Sequence, residues 1–367
     1  MTHPLDAALA PLVERVRAAQ QSGVRLQIRG GGTKQFYGEE PVGEPLDVTG
    51  LSGISSYEPS ELVVTARCGT RLAELEATLA ERGQCLPFEP PHFGAAATVG
   101  GMVAAGLAGP PRASVGGVRD YMLGATVLNG RAEVLSFGGQ VMKNVAGYDV
   151  ARLLAGSLGT LGVICEVSLK VLPIAPAIAT LRFEMGEGRA IEQLNRWGGQ
   201  PLPLNASAWW DGALLLRLRG ALAAVQAAVH SLGGELIDGA QAGAFWAGLR
   251  EHSDDYFVGA RRAVASGSGA RLWRLSLPPT APPVAVNGEQ LIEWGGGQRW
   301  LCTALPAPRV REAVTRLGGH ATIFNAHDKS PGVFAPLKMP LDRIHRQMKR
   351  AFDPDSVFNP GRMFPGV

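Results

Sequence analysis

The chain has 367 residues, of which 18% are charged and 46% hydrophobic, with 48 glycines, 26 prolines and a formal net charge of +3. This length allows two domains that each bury a core, and the composition favours an irregular α/β protein over a coiled coil or a disordered chain. So small a net charge gives no reason to expect binding to nucleic acid or to a membrane surface.

The cysteines and the apolar segments exclude several classes of protein. Cys68, Cys85, Cys165 and Cys302 are widely separated and form no Cys-x-x-Cys pair, so we predict no metal, neither zinc nor a protein-ligated iron–sulfur cluster. The first residues lack a basic segment ahead of an apolar one, and no apolar run reaches the length of a membrane span. These features predict a reduced protein of the cytoplasm.

The first half of the chain predicts short strands, two helices and glycine-rich loops. Strands are predicted at residues 26–28, 46–49, 62–66, 85–86, 121–128, 132–137 and 163–172, and helices at 9–19 and 70–83. The succession of strand 62–66, helix 70–83 and strand 85–86 is typical of a βαβ unit. Asn129-Gly130 is the strongest short signal for a hairpin, so it should join the strands on either side of it.

The pattern changes near residue 175, beyond which strands and helices alternate. Strands are predicted at 213–218, 235–237, 271–277, 289–294, 298–302 and 320–324, and helices at 221–232, 242–250 and 309–317. This mixture predicts an antiparallel sheet covered by helices on one face. In the tail from residue 337, Leu341, Ile344, Met348 and Phe352 share one helical face, and we expect the basic residues between them to be solvated.

Two segments rich in glycine indicate an anion site. Arg29-Gly30-Gly31-Gly32-Thr33-Lys34 follows the first strand, and Thr98-Val99-Gly100-Gly101 precedes a helix-compatible segment. A backbone without Cβ atoms can turn its N–H groups toward an anion, and the start of a helix adds a positive dipole end. The two loops together predict a diphosphate held from both sides, although the first loop alone would also fit a flexible hairpin.

Other nucleotide-binding and hydrolytic motifs are missing from the sequence. It contains no Gly-x-Gly-x-x-Gly segment and no Walker lysine loop, which disfavours an ordinary NAD fold and a P-loop ATPase. It has neither Gly-x-Ser-x-Gly nor His-Glu-x-x-His, so an esterase or a zinc peptidase has no support. The two loops are therefore not explained by any of these motifs.

Five motifs in a fixed order carry a resemblance to a known family. They lie at residues 29–34, 97–102, 115–121, 142–149 and 156–164. Together they resemble the FAD-binding domain of the vanillyl-alcohol-oxidase and p-cresol-methylhydroxylase (PCMH) superfamily, over the first half of the chain. More narrowly, the motifs resemble those of the FAD-binding E subunits of bacterial glycolate oxidases, also called glycolate dehydrogenases, and this similarity extends weakly to Phe352–Phe364.

The resemblance implies an α+β fold in three parts with FAD as the cofactor. A PCMH-type FAD-binding domain of two α/β subdomains would occupy residues 1–175, a cap domain of antiparallel sheet and helices 176–336, and a tail returning to the FAD-binding domain 337–367. Covalent members carry histidine where Thr33 stands, and bicovalent members carry cysteine where Ala96 stands, so the FAD should be held non-covalently. The implied FAD contacts are Arg29, Gly30, Gly31, Gly32, Thr33, Lys34, Thr98, Val99, Gly100, Gly101, Gly106, Gly156, Gly159, Thr160, Gly162, Ile164 and Asn359.

The resemblance also implies oxidation of a 2-hydroxy acid. This reaction needs a cation for the carboxylate, a base for the hydroxyl proton and flavin N5 as hydride acceptor. The candidate bases are His320 and His327, and the candidate carboxylate anchors are Lys338 and Arg362. Related D-2-hydroxy-acid dehydrogenases carry a His-x-Gly-Asp-Gly-Asn-x-x-His run near the end of the cap, from which residues 319–329 depart.

The function implied is that of the FAD-binding subunit of a complex that oxidises glycolate to glyoxylate. Its partners would be a companion flavin subunit, D, and an iron–sulfur subunit, F, and any contact with a membrane would come through them. Two alternatives stay open: a flavin electron-relay and assembly subunit without turnover of its own, and a stand-alone flavin oxidoreductase for another 2-hydroxy acid. Lys143 and Tyr148, in the fourth motif, could act in catalysis or only orient the loop beside the flavin.

Overall fold

The chain folds into two compact units. A computed structural model describes residues 5–139 and 149–367. The first unit contains the chain up to Leu107 together with Gly117–Pro173 and Pro336–Val367, and the second contains Ala108–Gly116 and Ile174–Ala335. The composition of the chain does not change at Ala108–Gly116, so the sequence gives no sign that this segment belongs to the second unit.

The helices and strands are short and numerous. The helices are α1 (Leu5–Ser22), α2 (Leu72–Ala80), α3 (Val99–Ala105), α4 (Arg112–Val115), α5 (Val118–Tyr121), α6 (Glu187–Gly198), α7 (Leu222–Leu232), α8 (Gly239–Glu251), α9 (Asp255–Ala265), α10 (Ala307–Arg316) and α11 (Leu341–Phe352). The strands are β1 (Leu26–Arg29), β2 (Glu44–Asp47), β3 (Ile54–Glu58), β4 (Val63–Arg67), β5 (Gln84–Cys85), β6 (Met122–Leu128), β7 (Val134–Gly138), β8 (Val163–Lys170), β9 (Leu172–Pro173), β10 (Ala177–Glu184), β11 (Leu204–Trp210), β12 (Ala213–Gly220), β13 (Glu235–Leu236), β14 (Arg271–Ser276), β15 (Glu289–Glu293), β16 (Gln298–Thr303) and β17 (His320–Asn325). Within residues 5–139 and 149–367, no helix combines the length and apolar character needed to cross a bilayer.

The first unit is built on an antiparallel sheet of five strands in the order β3-β4-β8-β6-β7. The βαβ prediction is wrong, because β5 pairs antiparallel with β9 in a separate sheet and does not join β4. The two strands β1 and β2 pair in parallel. Helix α1 packs its apolar residues Leu9, Val16 and Ala19 against Leu26 and Phe358, which closes this part of the core.

The predicted hairpin between β6 and β7 is present, with a longer turn than two residues. Leu128 pairs with Val134, so five residues form the loop. The Asn129 side chain organises it, because its Oδ1 accepts the N–H groups of Arg131 at 2.9 Å and Glu133 at 3.0 Å. These hydrogen bonds from the backbone to the Asn129 side chain stabilise a five-residue loop, whereas Asn-Gly usually forms a two-residue turn.

The second unit is built on an antiparallel sheet of eight strands in the order β13-β10-β12-β11-β15-β16-β14-β17. Leu214, Leu216 and Leu218 of β12 pack with α6 and α7 on one face. Arg217, which alternates with them, lies on the other face with its guanidinium 5.0 Å from the ring of Trp246 in α8. Helices therefore cover both faces, and the prediction of one covered face is wrong.

Helix α9 covers the second face next to α8. The Phe257 ring of α9 contacts the Trp300 ring of β16 at 5.0 Å, and His252 stacks on Phe257 at 3.7 Å. Burial lowers the pKa of His252 well below its usual value, so this imidazole is neutral. Residues 177–210 and 255–265, which supply β10, α6, β11 and α9, were not predicted as elements.

The C-terminal tail returns to the first unit and is held there by a buried ion pair. Lys349 of α11 is only 2% exposed, and its Nζ donates to the Asp353 carboxylate at 2.7 Å. The same Nζ donates to the carbonyl oxygens of Thr160 at 2.7 Å and Phe358 at 2.8 Å. The prediction that the basic residues of this helix are solvated is therefore wrong for Lys349.

Candidate functional site

The first glycine-rich loop leaves β1 with its backbone donors unused. Among residues 5–139 and 149–367, no acceptor is found for the N–H groups of Gly30, Gly31, Gly32 and Thr33. Four successive N–H groups without acceptors form a concave site for an anion. Lys34 ends the loop, and its Nζ donates to the carbonyl oxygen of His92 at 3.1 Å.

The two predicted loops contact each other, and glycine is required at the contact. A Cβ on Gly31 would lie 1.5 Å from the carbonyl oxygen of Ala96, and one on Gly30 would lie 2.6 Å from Thr98 Oγ1. The Thr98 hydroxyl also caps α3 by accepting the N–H of Gly101 at 3.2 Å. The structure thus brings residues 30–31 and 96–101 together at the start of α3.

The donors of the second loop are already occupied, contrary to the prediction. The N–H of Val99 donates to the carbonyl oxygen of Thr70 at 2.9 Å, and that of Gly100 donates to the carbonyl oxygen of Cys68 at 2.8 Å. A Cβ on Gly100 would also lie 2.7 Å from the Cβ of Cys68. Glycine at position 100 therefore permits close packing, and the anion donors come from the first loop.

A groove of about 100 Å³ lies against these loops. The predicted residues that line it are Arg29, Gly30, Gly31, Gly32, Thr33, Lys34, Thr98, Gly101, Asn359 and, from the predicted carboxylate anchors, Arg362. The predicted residues that do not line it are Val99, Gly100, Gly106, Gly156, Gly159, Thr160, Gly162 and Ile164. The lining residues that the sequence analysis missed are Gln27, Ile28, Gln35, Pro41, Ala104, Ala105 and Leu158, which are mostly chain neighbours of predicted residues.

The loop at residues 156–162 packs behind the groove. A Cβ on Gly106 would lie 2.7 Å from the nitrogen of Gly156, and the N–H of Leu158 donates to the carbonyl oxygen of Ala104 at 2.9 Å. A Cβ on Gly162 would lie 2.6 Å from a carbonyl oxygen of the neighbouring strand β6. These glycines allow the loop to lie directly on α3 and β6.

Asn359 connects three segments at one wall of the groove. Its Oδ1 accepts the N–H of Ile28 at 2.8 Å, and its Nδ2 donates to the carbonyl oxygen of Leu158 at 2.6 Å. A Cβ on Gly159 would lie 2.6 Å from this Nδ2. The tail, β1 and the loop at 156–162 are therefore fixed to one another by a single amide.

Arg362 is buried and holds the residues that follow the first loop. Its Nη2 donates to the carbonyl oxygens of Gln35 and Tyr37, both at 2.6 Å. Burial lowers the pKa of this guanidinium, and the charges of Glu40 and Glu39 oppose that shift. Its Nη1 has no partner in the described part of the chain. These contacts give Arg362 a structural role beside the groove.

The other three candidate catalytic residues, His320, His327 and Lys338, do not line the groove. His320 begins β17 opposite Ser276, and burial together with the charge of Arg274 lowers its pKa. His327 follows β17 and is exposed, as is Lys338. Both histidines belong to the second unit, whereas Lys338 and Arg362 belong to the first. Lys143 and Tyr148 lie outside the described residues.

The second unit contains a cavity of about 490 Å³ between its sheet and α8. Its walls are mostly apolar and include Trp210, Leu215 and Phe245, with the carboxyl groups of Glu251 and Asp254 at one side. Neither His320 nor His327 lines it. Among residues 5–139 and 149–367, no group of three or more histidine, cysteine, aspartate or glutamate side chains could hold a metal ion.

Comparison with known proteins gives full-length and partial similarities. The FAD binding domain family matches residues 9–138. The glycolate oxidase subunit GlcE of Escherichia coli K12 is 46% identical over 353 residues, which are 96% of this chain and 96% of that protein. A D-lactate dehydrogenase of Anaerostipes hadrus is 33% identical over 139 residues, covering 38% of this chain and 29% of that protein. The glycolate oxidase subunit GlcD of Bacillus subtilis is 29% identical over 175 residues, which cover 46% of this chain and 37% of that protein.

Among solved structures, an alkyldihydroxyacetonephosphate synthase has a similar fold. Its TM-score is 0.64 at 16% identity, over 95% of this chain and 75% of that one. This similarity bears on the fold alone, and it agrees with the predicted PCMH-type domain and cap. The family match and the FAD-linked relatives identify FAD as the cofactor, as the sequence motifs predicted.

Proposed function

The chain belongs to the family of the glycolate oxidase subunit GlcE, and we propose that it is the corresponding FAD-binding subunit of a complex that oxidises glycolate to glyoxylate. The observation that carries this proposal is 46% identity over 96% of both chains, which includes both units and the C-terminal tail. FAD-dependent oxidation of a 2-hydroxy acid is common to this relative and to the partial matches with a D-lactate dehydrogenase and GlcD.

The first loop would hold the diphosphate of FAD. Because the N–H groups of residues 30–33 have no acceptor within the described chain, a diphosphate can accept them without displacing any hydrogen bond. When bound, FAD supplies the acceptor for the two electrons that glycolate loses. The chain offers Thr33 and Ala96 where covalent members have histidine and cysteine, so we propose non-covalent binding. Acid precipitation should then release all of the FAD into the supernatant.

The proposed partners are a companion flavin subunit, D, and an iron–sulfur subunit, F. The names of the relatives GlcE and GlcD indicate a protein made of several subunits. Electrons would pass from this FAD to the iron–sulfur subunit, because the four cysteines here contain no Cys-x-x-Cys pair that would hold a cluster. In this arrangement the chain works in the cytoplasm and reaches a membrane only through its partners.

Two functions within the complex are distinguishable. In the first, this chain oxidises glycolate itself, with His320 or His327 as the base and Lys338 or Arg362 near the carboxylate. In the second, it relays electrons without substrate turnover. The second is favoured by residues 319–329, which depart from the histidine motif of related dehydrogenases.

An anaerobic absorbance titration of the purified chain with glycolate tests the proposal. If the flavin bands bleach with glycolate alone, the chain has its own active site, and His320→Gln and His327→Gln should then abolish bleaching while FAD is retained. If the bands bleach only after the companion subunits are added, the relay function is correct. A chain that binds no FAD would contradict both.

A further inference from the structure

Helix α11 exposes two large apolar side chains at its start. Leu341 and Ile344 are 51% and 46% exposed, whereas the charged Lys349 near its end is buried. Met339, two residues before the helix, is 69% exposed. Three large apolar side chains within six residues therefore face solvent, and we refer to Met339, Leu341 and Ile344 as the α11 patch. Contiguous exposed apolar surface of this kind marks interaction sites in soluble proteins.

The surroundings of the α11 patch are basic. Lys338 and Arg343 are exposed, and each is adjacent in sequence to a residue of the patch. Asp342 is the one acidic residue between Lys338 and Arg350. Both of its carboxylate oxygens lie 3.1 Å from Arg346 Nε, which donates to them. The patch thus combines an apolar centre with a rim of positive charge.

We propose that the α11 patch is the surface through which this chain binds a companion subunit, at a site with an apolar centre and an acidic rim. This inference rests on the proposed function as a subunit of a complex. Methionine and arginine are enriched in protein interfaces, and an acidic rim complements Lys338 and Arg343.

The same features disfavour a membrane and a second copy of the chain. Beyond Ile344, the apolar face of α11 turns into the protein, where Met348 is half-buried and the Phe352 ring lies 6.0 Å from that of Phe137. The exposed apolar stretch is therefore about one turn long, and a helix that lies on a bilayer needs an apolar face along its length. A second copy would bring like charges into contact.

Co-expression of this chain with the D and F subunits of the same organism tests the inference. We compare the wild-type chain, Ile344→Glu and Leu222→Glu by affinity purification and size-exclusion chromatography. Leu222 begins α7 in the second unit and is 58% exposed, so its substitution is a matched control for a new carboxylate at an apolar surface position. FAD absorbance of each purified chain reports whether the first unit is folded.

We expect Ile344→Glu to retain FAD but to weaken binding of the companion subunits about tenfold or more, while Leu222→Glu binds as the wild type does. Binding by the wild type should also weaken as NaCl rises from about 0.05 to 0.5 M, because the rim charges are screened. The inference is overturned if Ile344→Glu binds the companion subunits as tightly as the wild type does. It is also overturned if the substitution leaves companion binding unchanged and instead abolishes binding to anionic vesicles or formation of a homodimer. If the wild type itself binds neither subunit, the proposed function fails instead.

Discussion

Replacing Lys349 by methionine should selectively destabilise the first unit. The substitution keeps most of the side-chain volume but leaves the Asp353 carboxylate, which is fully buried, without its counter-ion. It also leaves the carbonyl oxygens of Thr160 and Phe358 without their donor. Breaking a buried ion pair by removing one partner costs about 3–5 kcal/mol, equivalent to roughly 10 °C in the melting temperature of a unit of this size.

The distribution of tryptophan makes this effect measurable in one sample. All seven tryptophans lie within Ile174–Ala335, so tryptophan fluorescence reports unfolding of the second unit. Release of FAD reports unfolding of the first unit, which contains the glycine-rich loop. In urea titrations at fixed FAD concentration, Lys349→Met should shift the FAD-release transition and leave the tryptophan transition unchanged.

A second substitution separates the charge from the packing. Adding Asp353→Asn to Lys349→Met removes the uncompensated charge. Asp353 accepts the N–H of Val357 at Oδ1 and that of Phe358 at Oδ2, so the single oxygen of asparagine keeps one of these two hydrogen bonds. We expect the double variant to recover the part of the loss that is due to the buried charge, and to retain the part that is due to the lost hydrogen bonds. An FAD-release transition for Lys349→Met within about 1 kcal/mol of wild type would refute this reasoning.

Three further predictions concern single positions. Gly31→Ala places a Cβ 1.5 Å from the Ala96 carbonyl oxygen, so it should cost about 1–3 kcal/mol and weaken FAD binding in a fluorescence titration, whereas Gly50→Ala, with open space around it, should do neither. Thr98→Val removes the cap of α3 and should lower stability by about 1 kcal/mol in urea unfolding, and Thr98→Ser should restore it. Burial raises the pKa of Glu293 from 4.5 to about 7, so the folded chain holds a proton there that the unfolded chain has lost. Stability of the second unit should therefore fall by about 3 kcal/mol as the pH rises from 4.5 through 7, by tryptophan fluorescence, and Glu293→Gln should flatten that dependence.

The glycine-rich loops were predictable because clustered glycines destabilise regular elements and therefore indicate a close approach of the backbone to another group. The sequence predicts Gly30 and Gly31 as backbone donors, and the structure leaves their N–H groups without acceptors in the described chain. The same argument failed for Val99 and Gly100, whose N–H groups donate to carbonyl oxygens of Thr70 and Cys68. Sequence shows that a backbone can approach something closely, but tertiary packing decides whether that partner is a ligand or another part of the chain.

The buried ion pair was not predictable for a related reason. Lys349 and Asp353 are four residues apart at the end of a helix, a spacing that usually gives an exposed pair. In this protein the pair is buried, and Lys349 Nζ also donates to the carbonyl oxygens of Thr160 and Phe358. Thr160 is remote in sequence, so this environment cannot be read from the helix alone. The faces of the second sheet present the same difficulty, because the alternation of Leu216 and Arg217 in β12 does not reveal that Trp246 covers the arginine.

The return of the tail to β1 has a consequence for synthesis of the protein in the cell. Leu26 donates its N–H to the carbonyl oxygen of Val357 and accepts the N–H of Asn359, so one wall of the groove consists of the first strand and of a segment about 331 residues further along the chain. At ~5–20 residues per second, the ribosome leaves the glycine loop without that wall for roughly twenty seconds to a minute. We therefore expect FAD to bind only after residue 359 has been translated, and a nascent chain that stalls before that residue would reach the quality-control machinery without flavin.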